Sequence, residues 1–237
     1  MEHVKRAVIL AAGRGSRMGA LTAETPKPLL KVLGKPIVET SLDACVAADI
    51  EEIYLVRGYH GEKFDVLQEK YSNLHFIDNP AWESANNIAS ILAAGDLIAG
   101  AYIIEGDLYL QNPALLDPFP QVSNYLAIPV QETNDWCFYT DAQSVIKRID
   151  IGGQNCLQMV GFSYWTEADG RKILDRAQKL YRMPSGKNLY WDEIALGAFL
   201  EDFTIYARVC TAEDITELDT IEELRDFENR LRMREQS

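Results

Sequence analysis

A strand running straight into a glycine-rich turn is the feature that most narrows the folds open to this chain. Residues 8–30 read V-I-L-A-A-G-R-G-S-R-M-G-A-L-T-A-E-T-P-K-P-L-L, and the apolar run of residues 7–10 suits a strand buried on both faces. Gly13 and Gly15 then let the backbone turn tightly and approach a ligand with no Cβ in the way. Successive N–H groups in such a turn form a nest for anions. Arg14, Arg17 and Lys27, the last held between Pro26 and Pro28, add positive charge. A nucleoside triphosphate needs this combination, so Leu10, Ala11, Ala12, Gly13, Arg14, Gly15, Ser16, Arg17 and Lys27 are the expected nucleotide-binding residues. A P-loop is excluded, because no glycine precedes Lys-Ser or Lys-Thr. A dinucleotide fingerprint fails as well. Gly13, Gly15 and Gly19 are spaced one residue too wide, and T-P-K-P breaks the helix that should follow.

The chain beyond the loop alternates between two hydrophobic periods. An apolar stripe of Ile37, Val38, Leu42, Cys45 and Val46 predicts a helix opened by Pro36. Short strands are expected at 52–56, 75–78 and 101–105, with helices at 63–71 and 87–94 between them. This alternation predicts an α/β, Rossmann-like fold with a mostly parallel mixed sheet flanked by helices. Segments 124–130, 136–140, 144–149 and 157–165 instead read as antiparallel strands, a small lid inserted at about 124–165. Helices at 167–181 and 190–200 and a strand at 203–209 follow, and Thr220 with Glu223 forms a capping box ahead of a last helix. A single domain over 1–237 accommodates the whole pattern.

Charge and cysteines bound the function. A formal net charge of −13 argues against a nucleic-acid surface, which would show a basic patch. It leaves room for a nucleotide, which needs only a local cationic pocket. No run approaches the 18 apolar residues of a membrane span, and M-E-H-V-K-R leads directly into a strand, so a cytoplasmic protein without a membrane partner is expected. Cys45, Cys137, Cys156 and Cys210 are far apart and form no C-x-x-C, which reads as reduced thiols. A homodimer is compatible with all of this.

Two further stretches carry chemistry. Asp107 follows the strand at 101–105 on a Gly-Asp turn, at the edge of an open α/β sheet where ligands bind. Its carboxylate suits a hard cation such as Mg²⁺, which prefers carboxylate and phosphate oxygens. L-Y-W-D-E at 189–193 places Asp192 beside Tyr190 and Trp191, and Asp192 would complete a two-carboxylate metal site with Asp107. Asn87 and Ser90, opening a helix, are candidates for recognition of the base.

The string L-A-A-G-R-G-S-R-M…T-P-K-P-L resembles the signature of nucleotidyltransferases that attach a nucleoside monophosphate to a phosphorylated small molecule. With N-D-W at 134–136, G-F-S-Y-W at 161–165, L-Y-W-D at 189–192 and T-E-L-D at 216–219, nearly the whole chain is similar to bacterial CTP:phosphocholine cytidylyltransferases. The resemblance implies that Asp107 and Asp192 hold Mg²⁺, and that Trp136 and Trp191, with Tyr190 and Glu217, enclose a cationic amine. Aromatic faces and carboxylates are the devices available for such a head group. Two departures bear on the amine: N-N-I-A-S at 86–90 lacks the aromatics the family carries there, and Gln131 stands where a basic residue is expected. Phosphoethanolamine and 2-aminoethylphosphonate therefore stand beside phosphocholine as acceptors. The implied reaction transfers CMP from CTP to the acceptor oxygen and releases pyrophosphate, with Arg17, Lys27, Asp107 and Asp192 as the catalytic set. A sugar-1-phosphate nucleotidylyltransferase, which shares the loop, and a non-catalytic nucleotide-binding regulator are the rival readings.

Overall fold

The computed structural model describes residues 2–235. Its strands, in chain order, are β1 (Arg6–Ala11), β2 (Lys31–Val32), β3 (Lys35–Pro36), β4 (Glu52–Arg57), β5 (Leu74–Asp78), β6 (Ala101–Glu105), β7 (Leu108–Leu110), β8 (Asn124–Thr140), β9 (Ile146–Trp165), β10 (Tyr206–Val209) and β11 (Ile215–Glu217). The α-helices are α1 (Ile37–Ala47), α2 (Ile88–Ala94), α3 (Glu167–Tyr181) and α4 (Ile221–Glu235). Seven strands form one sheet in the order β10-β8-β9-β6-β1-β4-β5. β1 runs parallel to both β4 and β6, with Arg6 opposite Glu52 and Ala101, while β9 joins β6 antiparallel.

The period-2 geometry of β1 explains why it sits inside. Ala7, Ile9 and Ala11 enter one core, with α1; Val8 and Leu10 enter the other, with α2 and α3. A strand apolar on both faces can be covered only by layers on both sides, and each buried Val, Leu or Ile side chain contributes about 1.5–3 kcal/mol. A third, smaller core of Met18, Val32, Ile37, Leu218, Leu224 and Phe227 fastens α4 over the segment that follows the glycine loop. Thr166 caps α3 by accepting from the Asp169 N–H at 3.2 Å, and Thr220 and Glu223 make the expected reciprocal cap of α4.

The four antiparallel segments expected in the lid are present as two long bent strands, β8 and β9, which pair with each other twice. Cys137 faces both Asp150 and Gln158, and Phe138 faces both Ile149 and Leu157. Three local expectations need correction. The segment expected as a helix at 63–71 is a run of 3-10 turns, Gly61–Glu69. The helix expected at 190–200 is a π-helical stretch, Glu193–Ala198, closed by the Phe199 N–H on the Ile194 carbonyl, five residues back. The strand expected at 203–209 is shorter, beginning at Tyr206. No helix among the described residues is long and apolar enough to cross a membrane. The four cysteines are buried and unpaired.

Candidate active site

Parallel strands β1, β4 and β6 deliver three turns to one edge of the sheet. The Gly106 N–H donates to the Leu10 carbonyl at 2.9 Å and the Tyr59 N–H to the Ala12 carbonyl at 3.1 Å, so the turns brace one another. Above them lies a cavity of about 510 Å³. Every residue of the expected nucleotide stretch lines it except Arg14, whose guanidinium lies against the Tyr59 ring, 5.6 Å from its centroid. Gly15 has φ +63°, and a Cβ there would stand 2.7 Å from the Lys27 Cβ. Glycine at 15 is what admits Lys27 beneath the loop.

Lys27 is the electrostatic centre. Its ammonium is buried and donates to Asp107 Oδ2 at 2.6 Å and to Asp219 Oδ1 at 2.5 Å, while Arg17 pairs with Asp219 Oδ2 at 2.6 Å. Burial alone would lower the Lys27 pKa; the Asp107 and Asp219 carboxylates outweigh it and hold it above its ordinary value. Oxygens of Glu105, Asp107 and Glu217 lie within 4.8 Å of one another. Asp107 Oδ1 is buried and accepts nothing. Burial, then the charges of Asp192, Asp107 and Glu217, pushes Glu105 well above the carboxylate range. Burial and the charges of Asp107 and Asp219 do the same to Glu217. Such a cluster, with one Asp107 oxygen left without a donor, suits a divalent cation.

Gly161 makes room for this arrangement. A Cβ on it would meet Glu105 Cγ at 2.6 Å, so the Glu105 side chain lies across β9 only because residue 161 has none. Asp192 lines the same cavity but stands outside the close three-acid cluster. Its Oδ1 accepts from the Tyr125 hydroxyl, and burial raises its pKa to about 7 against that bond. Asn87 is engaged within the protein: its Oδ1 accepts from the Trp191 backbone N–H at 2.8 Å and its Nδ2 donates to Glu105 at 3.3 Å. Ser90 is buried and accepts from Asn79 at 3.2 Å. Both still line the cavity.

The aromatic expectations divide. Trp136 and Tyr190 line the cavity. Trp191 does not: it is 0 % exposed, stacked on Tyr125 at 6.2 Å and edge-on to Trp165 at 6.0 Å in the core that carries α2 and α3. Its ring is therefore covered, and the expectation that it faces the amine is not met. The sequence reading missed Glu105, Asp135 and Asp219. Glu105 had a usable signal, since alternation along E-G-D puts it beside Asp107. Asp219 stood in the T-E-L-D stretch, but its role rests on Lys27 and Arg17, which lie about 200 residues away along the chain.

Comparison with known proteins agrees with this geometry. Residues 7–178 match the model of the MobA-like NTP transferase domain. The chain is 36 % identical over 227 residues to the 2-aminoethylphosphonate cytidylyltransferase of Lancefieldella rimae, covering 94 % of this chain and 92 % of that protein. It is 34 % identical over 220 residues to the choline-phosphate cytidylyltransferase of Haemophilus influenzae, covering 92 % and 93 %. The structure of the CTP:phosphocholine cytidylyltransferase of Streptococcus pneumoniae superposes with a TM-score of 0.85 at 28 % identity, over 97 % of this chain and 99 % of that one. With the glycine loop, Lys27 and the acid cluster meeting in one cavity, the chain belongs to the MobA-like NTP transferase family, in the group that holds the bacterial choline-phosphate and 2-aminoethylphosphonate cytidylyltransferases.

Proposed function

We propose that this chain transfers CMP from CTP to a small amine bearing a phosphate or phosphonate. The observation that carries the reading is the single cavity in which the glycine loop, Lys27 and Arg17 face a wall of carboxylates. The loop amides with Ser16 and Arg17 hold the β- and γ-phosphates, and Lys27 lies where charge builds on the α-phosphate. An acceptor oxygen attacks the α-phosphorus, the bond to the oxygen bridging the α- and β-phosphorus breaks, and pyrophosphate leaves with that electron pair. The acceptor oxygen is already anionic, so the step needs no general base. Its demands are alignment and charge neutralisation. Asp107, with Glu105 and Glu217 and with Asp192 on the same wall, would hold Mg²⁺, which supplies charge neutralisation on the phosphates when bound. The pairs that Lys27 and Arg17 make with Asp219 hold both side chains in place.

Pyrophosphate release measured with each NTP against phosphocholine, phosphoethanolamine, 2-aminoethylphosphonate and glucose-1-phosphate tests the reading. Turnover with CTP and at least one of the amines is expected. A preference for glucose-1-phosphate would replace the amine reading with a sugar one, and CTP binding without turnover would make the chain a regulator.

A further inference from the structure

We infer that Asn87 is a positioning residue that ties the Glu105 carboxylate to the backbone carrying Tyr190 and Asp192, so that acids from two distant parts of the chain meet the phosphates as one wall. The inference rests on the cytidylyl-transfer reading, and gives a task in that reaction to an uncharged side chain on the cavity wall.

Both ends of the Asn87 amide are committed to this task. Its Nδ2 donates to Glu105 Oε1 at 3.3 Å, and among the described residues no other hydrogen bond reaches that carboxylate. Its Oδ1 accepts from the Trp191 backbone N–H at 2.8 Å, one residue before Asp192. Glu105 needs such a donor. It lies among the charges of Asp192, Asp107 and Glu217, and the nearby Lys27 ammonium is already spent on Asp107 and Asp219. A cation at position 87 would neutralise the acids that a metal needs, and a carboxylate there would add to their repulsion. An amide orients Glu105 without changing the charge of the wall, and it offers a donor and an acceptor on separate atoms.

The neighbouring Asn86 extends the same clasp. Its backbone N–H donates to the Lys187 carbonyl at 2.7 Å, and its Nδ2 donates to the Asn188 carbonyl at 3.1 Å. Its Oδ1 accepts from the Asn87 backbone N–H at 2.8 Å, which fixes the two amides relative to each other. Residues 189–191 belong to no strand or helix, so neither a sheet nor a helix ladder holds them. The two asparagines do so instead, through hydrogen bonds to backbone groups of residues 187, 188 and 191. Tyr190 and Asp192, which line the cavity, sit on either side of the N–H that Asn87 grips. A shift of Asn87 therefore displaces the acid at the end of β6 and the acid that opens the π-helical stretch together. Outer groups that orient metal-binding carboxylates act in this way.

The test is Asn87→Ala, read on Mg²⁺ and on the base. In nucleotide-free protein, the Mg²⁺ concentration that half-completes the metal-induced rise in Tm should increase about 10-fold or more, the usual cost of removing a group that orients a ligating carboxylate. The Mg²⁺ needed for half-maximal turnover with CTP should rise similarly, while the ratio of kcat/KM for CTP to that for UTP stays at its wild-type value. In a Glu105→Gln background the same change should cost markedly less than in the wild type, because part of its effect passes through Glu105. Asn87→Asp keeps an acceptor for the Trp191 N–H but offers Glu105 no donor, and it serves where the alanine variant does not fold. It should lower kcat about 10-fold or more, again with the CTP:UTP ratio unchanged. An unaltered Mg²⁺ requirement in nucleotide-free Asn87→Ala overturns the inference, and so do fully additive effects of the Asn87 and Glu105 changes. A collapsed or reversed CTP:UTP preference in either variant also overturns it and gives Asn87 to the base, since the two bases carry a donor and an acceptor respectively at C4. Absence of pyrophosphate release by the wild type with any acceptor sinks the cytidylyl-transfer reading, and the Mg²⁺ shift in nucleotide-free protein then still decides whether Asn87 positions the acids.

Discussion

Replacing Trp191 with alanine separates two roles that a tryptophan beside a candidate carboxylate could have. In the structure the indole is fully buried, its N–H has no partner, and its neighbours Tyr125 and Trp165 lie at aromatic contact distances. Truncation therefore strands no polar group and removes packing alone. A buried Trp→Ala change costs about 3–5 kcal/mol, to which lost aromatic pairs contribute about 0.5–1.5 kcal/mol each. For a chain of this size each kcal/mol lowers Tm by about 2–4 °C, so a fall of about 6–20 °C is expected. Tyr125 also holds Asp192, so the cavity wall should loosen at the same time. The assay is thermal and denaturant unfolding of the variant alongside titration with CTP and with the acceptor. Trp191→Phe, which keeps a ring in the core, should recover a large part of the stability. A ring lying over a desolvated cation would behave otherwise, because losing it costs about 2 kcal/mol of binding, or about 30-fold in affinity. Wild-type Tm with acceptor affinity alone reduced 30-fold would refute the burial argument.

Other outcomes follow from the charges and the loop. Lys27→Ala should lower kcat by more than it raises the KM for CTP, on the order of 10²-fold, because its charge counts most as charge develops on the α-phosphate; a pure KM effect in steady-state kinetics would refute this. Gly15→Ala should abolish the seat of Lys27, since the strained φ costs about 1–2 kcal/mol and the new Cβ meets the Lys27 stem; unchanged CTP affinity and kcat would refute it. Burial and neighbouring carboxylates raise Glu105 and Glu217, and burial with the Glu193 charge raises Asp192 to about 7, so the folded chain holds protons that the unfolded chain gives up at about pH 4. The contribution of Asp192 is present below about pH 4 and is lost as pH rises through about 7. The ligand-free Tm should accordingly fall between pH 6 and pH 8, and Mg²⁺ should raise Tm more at pH 8 than at pH 6; the reverse order in a thermal-shift series would refute the assignment.

What could be read from the sequence was local. The glycine loop, α3 with its bounds at 167–181 and the cap of α4 are each written in a short window of residue types. Asp107 was also visible, because an apolar strand ending in Gly-Asp leaves the carboxylate at the sheet edge. What was hidden depends on distant contacts. Trp191 and Trp136 look alike in sequence, and only the packing of α2 and α3 against the sheet decides that one is covered and the other lines the cavity. The small sheet of β7 with β11 escaped because each strand is three residues long, yet it brings Glu217 next to Asp107. The expected helix at 190–200 had the right apolar spacing for an α-helix, and that spacing does not distinguish the wider π turn.

The salt bridges of Asp219 set the order in which this chain becomes competent during its own synthesis. Lys27 lies under the loop, but the Asp219 carboxylate that accepts from it follows 192 residues later, just ahead of α4. A nascent chain halted before residue 217 would have the glycine loop and Asp107, yet lack β11, Glu217, Asp219 and the helix that clamps the loop from outside. The pocket is thus closed by a segment made well after the glycine loop. Competence should switch on in one step when that part docks, and should not accumulate gradually as the sheet grows.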